Sequence, residues 1–461
     1  MLISLLIDKY FFMFYIDNQF GLIRNAEDVK IRDSGYNVHA FNTLISQRIG
    51  NHRGLPDTRN KLCRIQKYAE RLPKTSVIIC FFNEHYHTLM RSVYSILDRT
   101  DLKYLKEIIL VDDFSDIDGL HDAVLLRTTT REGLIRARLY GAENSVGEVL
   151  VFLDSHIEVN IDWLPPLLTR LSEGVDQVEV RFSHRAVTPV IDVINADTFE
   201  YSASPLVRGG FNWGLHFKWD NLPKGTLKTD EDFVKPIKSP TMAGGLFAIY
   251  REYFNYIGKY DEGMNVWGGE NLEISFRIWM CGGSLELIPC SRVGHVFRKR
   301  RPYGIGEKED YMLRNSMRMA RVWMDDYVVK HNPGVAHLEL GDISSRINLR
   351  KSLNCKSFKW YLENIYPELD SGENTLAKKR MAALNDVEKN KFQPWHSRRN
   401  ELVLGRTLCL DASNNVAPKL SKCHELGGSQ EWKHKGSFNL TSPLYSLFSY
   451  TLTSNGRTFS V

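Results

Sequence analysis

The sequence predicts an α/β fold: a mostly parallel sheet with helices on both faces, followed by a smaller β module. Three observations carry this expectation. Short apolar runs alternate with stretches of helical periodicity between Thr75 and Leu287. Acidic residues end two of those runs, where open sheets of this kind bind ligands. The chain has 461 residues, too many for one ordinary core.

Taken in order, the predicted strands are Ser76 to Phe82, Glu107 to Val111, Val149 to Leu153, Val190 to Ile194 and Gly245 to Tyr250. Leu89, Val93, Ile96 and Leu97 recur on one helical face between the first two, and the segment after Arg131 repeats the pattern. A Gly-rich aromatic stretch, Gly209-Gly210-Phe211-Asn212-Trp213, precedes Ala243-Gly244-Gly245. Trp267-Gly268-Gly269-Glu270-Asn271 then opens a helix. A charged helical region runs from Pro302 to about Tyr327, and Ser357 to Tyr366 reads as an aromatic docking segment. The polar stretch from Asp370 to Asn390 reads as a linker with partial helix. Beyond Phe392 the composition turns to Gly, Ser and Asn, with strand candidates at Cys409 to Asp411 and Gln430 to Trp432. The expected domains are an N-terminal segment 1–70, a large domain 71–369, a linker 370–391 and a β module 392–461.

Composition narrows the function. Sixty Lys and Arg against 55 Asp and Glu leave a net charge of +5, too balanced for affinity built on phosphate neutralisation along a nucleic acid. The seven cysteines include no C-x-x-C pair of the kind that holds structural zinc. Their wide spacing suits long-range disulfides in an oxidising compartment, with Cys80 odd because it sits in an apolar strand. Seven buried thiols in a cytosolic protein is the alternative reading. At the amino end, Leu2 to Ile7 and Tyr10 to Ile16 are apolar, but Asp8, Lys9 and Asp17 interrupt them. Neither run approaches the roughly 20 residues of a spanning helix. The segment fits a degraded anchor, a weak targeting segment or the exposed start of a shortened chain.

Three constellations carry chemistry. Asp154-x-His156 follows the strand Val149 to Leu153, and side chains two apart in extended backbone face one way. A carboxylate and an imidazole there suit a borderline cation such as Mn²⁺, with open positions for a diphosphate and water. His295 precedes the cations Arg298, Lys299, Arg300 and Arg301. A charge run by itself is a solvated face, but beside a metal it suits a leaving diphosphate, with His295 completing the metal shell and Arg298 and Tyr303 gripping phosphate oxygens. Trp267 with Glu270 and Asn271 offers an apolar platform and polar groups for a sugar, the alternative being a buried Trp at a tight turn. Asp112-Asp113 suits either a cap or a nucleoside contact.

Together these strings resemble the polypeptide N-acetylgalactosaminyltransferases, which begin mucin-type O-glycosylation in the Golgi. The resemblance runs from about Ala40 to Tyr366, through Leu55-Pro56-Asp57-Thr58-Arg59, Phe82-Asn83-Glu84, Glu107 to Asp113, Arg131 to Arg136, Phe152 to His156 and the Trp267 and His295 segments. It implies a GT-A fold, UDP-N-acetylgalactosamine as donor, Mn²⁺ as cofactor, Ser/Thr-containing proteins or glycopeptides as acceptors, and retention of configuration. By motif, the metal ligands would be Asp154, His156 and His295. Cys80, Asp113 and Arg131 would contact the nucleotide. Ser155, Trp267, Glu270 and Asn271 would line the donor sugar and reacting centre, and Arg298, Arg301 and Tyr303 would lie near the diphosphate. Phe211, Trp213 and Phe297 would line the acceptor groove. The implied disulfides are Cys63 with Cys290, Cys281 with Cys355, and Cys409 with Cys423. Golgi residence implies a type II membrane protein.

The tail is similar to the first of three repeats of a ricin-type lectin domain, in Cys409-Leu410-Asp411, Cys423-His424 and Gln430-Glu431-Trp432. Such repeats share a core, so a lone one is expected to be poorly ordered, with lectin-guided acceptor choice lost. Two departures touch the larger domain. Only ten residues separate Asp113 from Val124, fewer than a parallel crossover ordinarily takes, which raises the expectation of a distorted donor pocket. Val178 to Val187 reads as extra sequence. The leading expectation is an active retaining transferase without a protein nucleophile. The alternatives are a catalytically impaired UDP-sugar or glycopeptide binder of the same fold, or a metal-dependent phosphodiesterase.

Overall fold

The computed structural model describes residues 18–116, 126–175, 182–300, 311–327 and 339–369, and six short strands between 396 and 460. The chain divides into two compact units, 1–369 and 370–461.

Among the first unit's described residues twelve strands follow one another: β1 (Thr75–Phe81), β2 (Leu105–Asp112), β3 (Leu126–Arg127), β4 (Val149–Leu153), β5 (Ile157–Val159), β6 (Arg185–Asn195), β7 (Tyr201–Ser202), β8 (Val207–Phe211), β9 (Phe217–Asn221), β10 (Ile237–Lys238), β11 (Phe247–Tyr250) and β12 (Ser284–Phe297). The main sheet runs β10-β12-β6-β11-β4-β1-β2-β3, with β5 and β7 paired to β12 and β6. It is parallel through β4-β1-β2-β3 and through β6-β12, and β11 joins the two halves antiparallel to both. Every residue of β1 and β4 is buried, as strands covered on both faces require.

The 14-residue β12 was not among the expected strands. Pro289 and the glycine at 294 interrupt its pattern, and its register against β6 shifts between Ile288 and Arg292. The ten helices of the first unit's described residues are α1 (Ala26–His39), α2 (Thr43–Ile49), α3 (Tyr86–Arg99), α4 (Leu134–Glu143), α5 (Leu164–Ser172), α6 (Arg251–Tyr256), α7 (Glu270–Met280), α8 (Tyr311–Trp323), α9 (Ser344–Ser352) and α10 (Phe358–Asn364). The charged helix expected from Pro302 is described from Tyr311 onward.

The amino-terminal helices belong to this unit. Asn25 and Asn42 cap α1 and α2 by accepting from Asp28 N and Ile45 N. Arg91 on α3, 1 % exposed, donates to Ser46 O and Gly50 O and pairs with Glu158 at 3.0 Å. The Leu55 to Arg59 string docks by polar contacts: Asn160 Nδ2 donates to Pro56 O, Thr58 Oγ1 to Asp192, and Arg59 to Asp57 and Asp162.

At the short crossover, β2 and β3 stay in parallel register, Val111 opposite Leu126 and Asp112 opposite Arg127. Residues 117–125 lie outside the described residues, as do 176–181, which take in the start of the extra segment Val178 to Val187. In the second unit, His396–Arg398, Glu401–Leu404, Leu408–Asp411 and Lys419–Lys422 (β13 to β16) form an antiparallel sheet in that order, and Thr451–Ser454 pairs with Arg457–Ser460 (β17, β18). Cys423, the linker 370–391 and the Gln430 to Trp432 strand candidate lie outside the described residues.

Cys63 is bonded to Cys290 and Cys281 to Cys355, while Cys80 is free and buried. The second bridge closes a separation of 74 residues, joining the end of α7 to the start of α10. Replacing both Cys281 and Cys355 by Ser is expected to cost about 2–4 kcal/mol, read as a lower denaturant midpoint with a steeper slope, because the unfolded chain without the bridge exposes more surface.

Candidate active site

At the carboxyl end of β4 the chain turns through Asp154, Ser155 and His156 into β5. Ser92 on α3 pins that turn, donating to Ser155 O and accepting from Ile157 N. β12 pairs antiparallel with β5, His295 opposite Ile157, and Val296 N donates to His156 O. This register brings the two imidazoles together, with ring centroids 4.7 Å apart. His295 Nε2 lies 3.3 Å from Asp154 Oδ2. One donor atom each from Asp154, His156 and His295 lies within 4.8 Å of the others.

Those donors fit a divalent cation. One carboxylate oxygen and two imidazole nitrogens make a mixed set of the kind borderline ions take, and a supporting carboxylate stands behind it. Glu84, buried just past β1, accepts at Oε2 from Ser155 Oγ (2.8 Å), His156 Nδ1 (2.9 Å) and Arg298 Nη2 (2.6 Å). Donation from Nδ1 to Glu84 leaves the Nε2 lone pair of His156 available. Burial, with the Arg298 charge, pushes His156 down to about 4, so the ring is neutral at physiological pH, as ligation requires. Burial alone would raise Glu84, but the Arg298 charge and the hydrogen bond from His156 hold it well below the usual carboxylate range. Asp154 is likewise lowered: the hydrogen bond from His295 and the Arg138 charge outweigh burial.

Arg138 on α4, 1 % exposed, donates to Asp154 Oδ1 (2.9 Å), Gly244 O (2.6 Å) and Gly245 O (3.0 Å). Gly245 is needed there, because a Cβ would run into the Asp154 carboxylate.

A cavity of about 330 Å³ opens over these groups. Its wall includes Cys80, Phe82, Asp113 and Arg131 at the β1–β2 half, and His295, Phe297 and Arg298 on β12 and just beyond it. Asp113 accepts from Glu132 N and Gly133 N, both at 2.8 Å, and pairs with Arg131, whose guanidinium lies 3.9 Å from the centre of the Phe82 ring. Asp112, by contrast, accepts from Ser115 N and pairs with Arg127. That is a turn-closing role. Burial pushes the Cys80 thiol up to about 12, so it presents a neutral surface.

Ser155, Trp267 and Glu270 line the same cavity. Glu270 Oε2 accepts from Gly268 N at 2.8 Å, and its carboxyl is raised by burial against the Arg138 charge. Three expected positions fall elsewhere. Asn271 is outside the wall, its Nδ2 bound to Met242 O at 3.0 Å. Phe211 is fully buried against Phe276 and Tyr366, because β8 turns that side chain into the core. Trp213 stacks on Tyr327 instead. Arg301 and Tyr303 lie outside the described residues.

Sequence reasoning assigned no role to Glu84, Arg138, Phe217 or Trp219. Glu84 had a usable signal, since it follows a strand's carboxyl end as Asp113 and Asp154 do. So did Phe217 and Trp219, which line the cavity and alternate with Lys218 and Asp220 as strand residues do. A buried Arg within an amphipathic helix carries no such mark.

Residues 76–254 match the family model for glycosyl transferase family 2, and 227–301 that for the N-terminal domain of galactosyltransferase. Polypeptide N-acetylgalactosaminyltransferase 11 of Xenopus tropicalis is 48 % identical over 474 residues, spanning 90 % of this chain and 78 % of that protein. The inactive polypeptide N-acetylgalactosaminyltransferase-like protein 5 of Macaca fascicularis is 47 % identical over 353 residues, 73 % of this chain and 77 % of that one. The crystal structure of GalNAc-T7 with UDP, GalNAc and Mn²⁺ superposes with a TM-score of 0.69 at 34 % identity, covering 89 % of this chain and 76 % of that one.

Glu84→Gln removes the charge that orients His156. It is expected to weaken Mn²⁺ binding about 10–100-fold without loss of fold, measured by titration calorimetry alongside circular dichroism.

Proposed function

The chain belongs to the polypeptide N-acetylgalactosaminyltransferase family, and on that premise we propose that it moves N-acetylgalactosamine from UDP-N-acetylgalactosamine to Ser and Thr hydroxyls of polypeptides, with Mn²⁺ and with retention. The observation that carries this reading is the convergence of Asp154, His156 and His295 in the cavity that also holds Asp113 and Arg131.

Asp154, His156 and His295 would hold the cation. Bound there, Mn²⁺ supplies Lewis-acid stabilisation of charge on the departing diphosphate. Glu84 fixes the ring of His156, and Arg138 fixes the carboxylate of Asp154. The nucleotide lies against Cys80, Asp113 and Arg131, with Ser155 beside it. Arg131 is held in place by Asp113 and Phe82, so its orientation is set before substrate arrives. Trp267 and Glu270 face the sugar, with Asn271 supporting the adjacent Met242 backbone. Arg298 stands at the diphosphate end, and the family motif gives Arg301 and Tyr303, outside the described residues, the same role. Phe297, Phe217 and Trp219 form the acceptor side, with Phe211 paired across the hairpin to Phe217. The leaving phosphate is suited to take the acceptor proton, since its oxygens lie on the face from which the hydroxyl attacks when configuration is retained.

We extend the proposal to the Golgi lumen, as a type II membrane protein, and to residues 392–461 as a partial ricin-type lectin module bridged by Cys409 and Cys423. Two formed disulfides suit an oxidising compartment. Among the described residues no helix is long and apolar enough to cross a membrane. A second reading, a UDP-sugar binder without turnover, draws on the relative whose name marks it inactive, since fold alone does not guarantee chemistry.

With Mn²⁺ and a Thr-containing synthetic peptide, the protein is expected to turn over UDP-N-acetylgalactosamine faster than UDP-glucose, to give the α-linked product and to lose transfer on chelation. The reverse donor preference contradicts the donor assignment. UDP binding without either transfer or hydrolysis selects the second reading.

A further inference from the structure

The hairpin β8–β9 forms a two-stranded sheet of its own, joined to the segment after β10 by a bridge between Gly209 and Thr241 and by Gly209 N donating to Ser239 Oγ, so that β8 is anchored while β9 is not part of that bridge. Isolated hairpins are marginal in water, yet this one carries Phe217 and Trp219 into the cavity wall, with Trp219 42 % exposed. An exposed indole at a cavity mouth keeps one orientation only if something behind it is fixed. Side chains alternate along β9, so Phe217 and Trp219 share one face while Lys218 and Asp220 share the other.

What meets that rear face is the end of the first unit. Tyr366 donates its hydroxyl to Asp220 Oδ2. Its ring packs against Phe211 of β8 at 5.5 Å, and Arg208 of β8 lies over the same ring at 5.8 Å while pairing with Glu368 at 2.8 Å. Tyr366 itself has a rigid base. Its amide donates to Tyr361 O, Tyr361 Oη donates to Pro240 O, and α10 packs through Phe358 on Phe276 of α7. Gly210 keeps the path clear, because a Cβ there would collide with both the Asp220 carboxylate and the Tyr366 hydroxyl. Burial, then the bond to Asp220, holds that hydroxyl above the usual phenol range, so it stays a donor at physiological pH.

We propose that Tyr366 and Asp220 form a clamp that positions the β8–β9 hairpin, so that a hydroxyl outside the cavity sets the affinity for the polypeptide acceptor. This rests on the transferase reading above. The strand order separates the two substrates: nucleotide groups sit on the β1–β2 half, whereas Ile191, His295 and Phe297 come from β6 and β12, and the hairpin shares the cavity with them. Tyr366 is a positioning residue and touches neither substrate.

The test is Tyr366→Phe, alone and with Trp219→Ala, in the full-length protein with UDP-N-acetylgalactosamine, Mn²⁺ and a Thr-containing synthetic peptide. Tyr366→Phe is expected to raise the peptide KM about three- to tenfold, leave donor hydrolysis and the donor KM within about twofold, and speed amide exchange across 217–221. In the Trp219→Ala background it is expected to add no further change, because the clamp acts through that side chain. Gly210→Ala is expected to reproduce the peptide effect. An unchanged peptide KM, an additive double variant, or donor hydrolysis falling in parallel with transfer overturns the proposal. If the wild-type protein transfers nothing, the transferase reading fails instead, and unchanged exchange across 217–221 in Tyr366→Phe is then the result that sinks the clamp.

Discussion

The antiparallel pairing of β5 with β12 is the contact on which the site depends. It sets His295 opposite Ile157, one residue past His156, so imidazoles 139 positions apart in the chain share one wall with the carboxylate of Asp154. A slip of one residue would turn His295 to the other face of β12 and dissolve the cluster. The register is held from outside as well: β12 runs parallel to β6, and Cys290 ties it to Cys63.

Around that pairing, carboxylates each meet a guanidinium: the half-buried Asp154 with Arg138, and the buried Glu84 with Arg298 and Asp113 with Arg131. Burying such pairs returns little stability, because desolvation consumes much of the attraction. Their value lies in orientation. Asp154, His156 and Arg131 are each held by a second group before any ligand arrives, which keeps the reorganisation needed on binding small. The aromatic side of the cavity is built differently, on a hairpin outside the main sheet that is held by the Gly209–Thr241 bridge on β8, by Tyr366 on Asp220 and by Glu368 on Arg208.

How much of this could be read in the sequence follows from the range of the interactions involved. Strand ends were legible because apolar runs stop abruptly at Asp112, Asp113 and Asp154, and β4 falls where its pattern placed it. Asp154 and His156 were legible through residue type and position at such an end, while His295 was found through the cation run that follows it and through the family resemblance. β12 was not, since Pro289 and Gly294 break its alternation while tertiary pairing still holds it extended. Nor was the burial of Phe211, which depends on which face of β8 meets Phe276 and Tyr366. Asn271 looked like a sugar ligand because it is polar and adjacent to Glu270. The helical turn sends its amide to Met242 O instead. The short crossover was expected to distort the donor pocket, yet the described residues on either side of it keep Asp113 bonded to Glu132 N and Gly133 N.

Mn²⁺ binding in the presence of UDP, followed by electron paramagnetic resonance, addresses the central claim directly. The protein should bind one ion per chain, and Asp154→Ala, His156→Ala and His295→Ala should each lose it while keeping the fold. Wild-type affinity in all three variants would contradict the account.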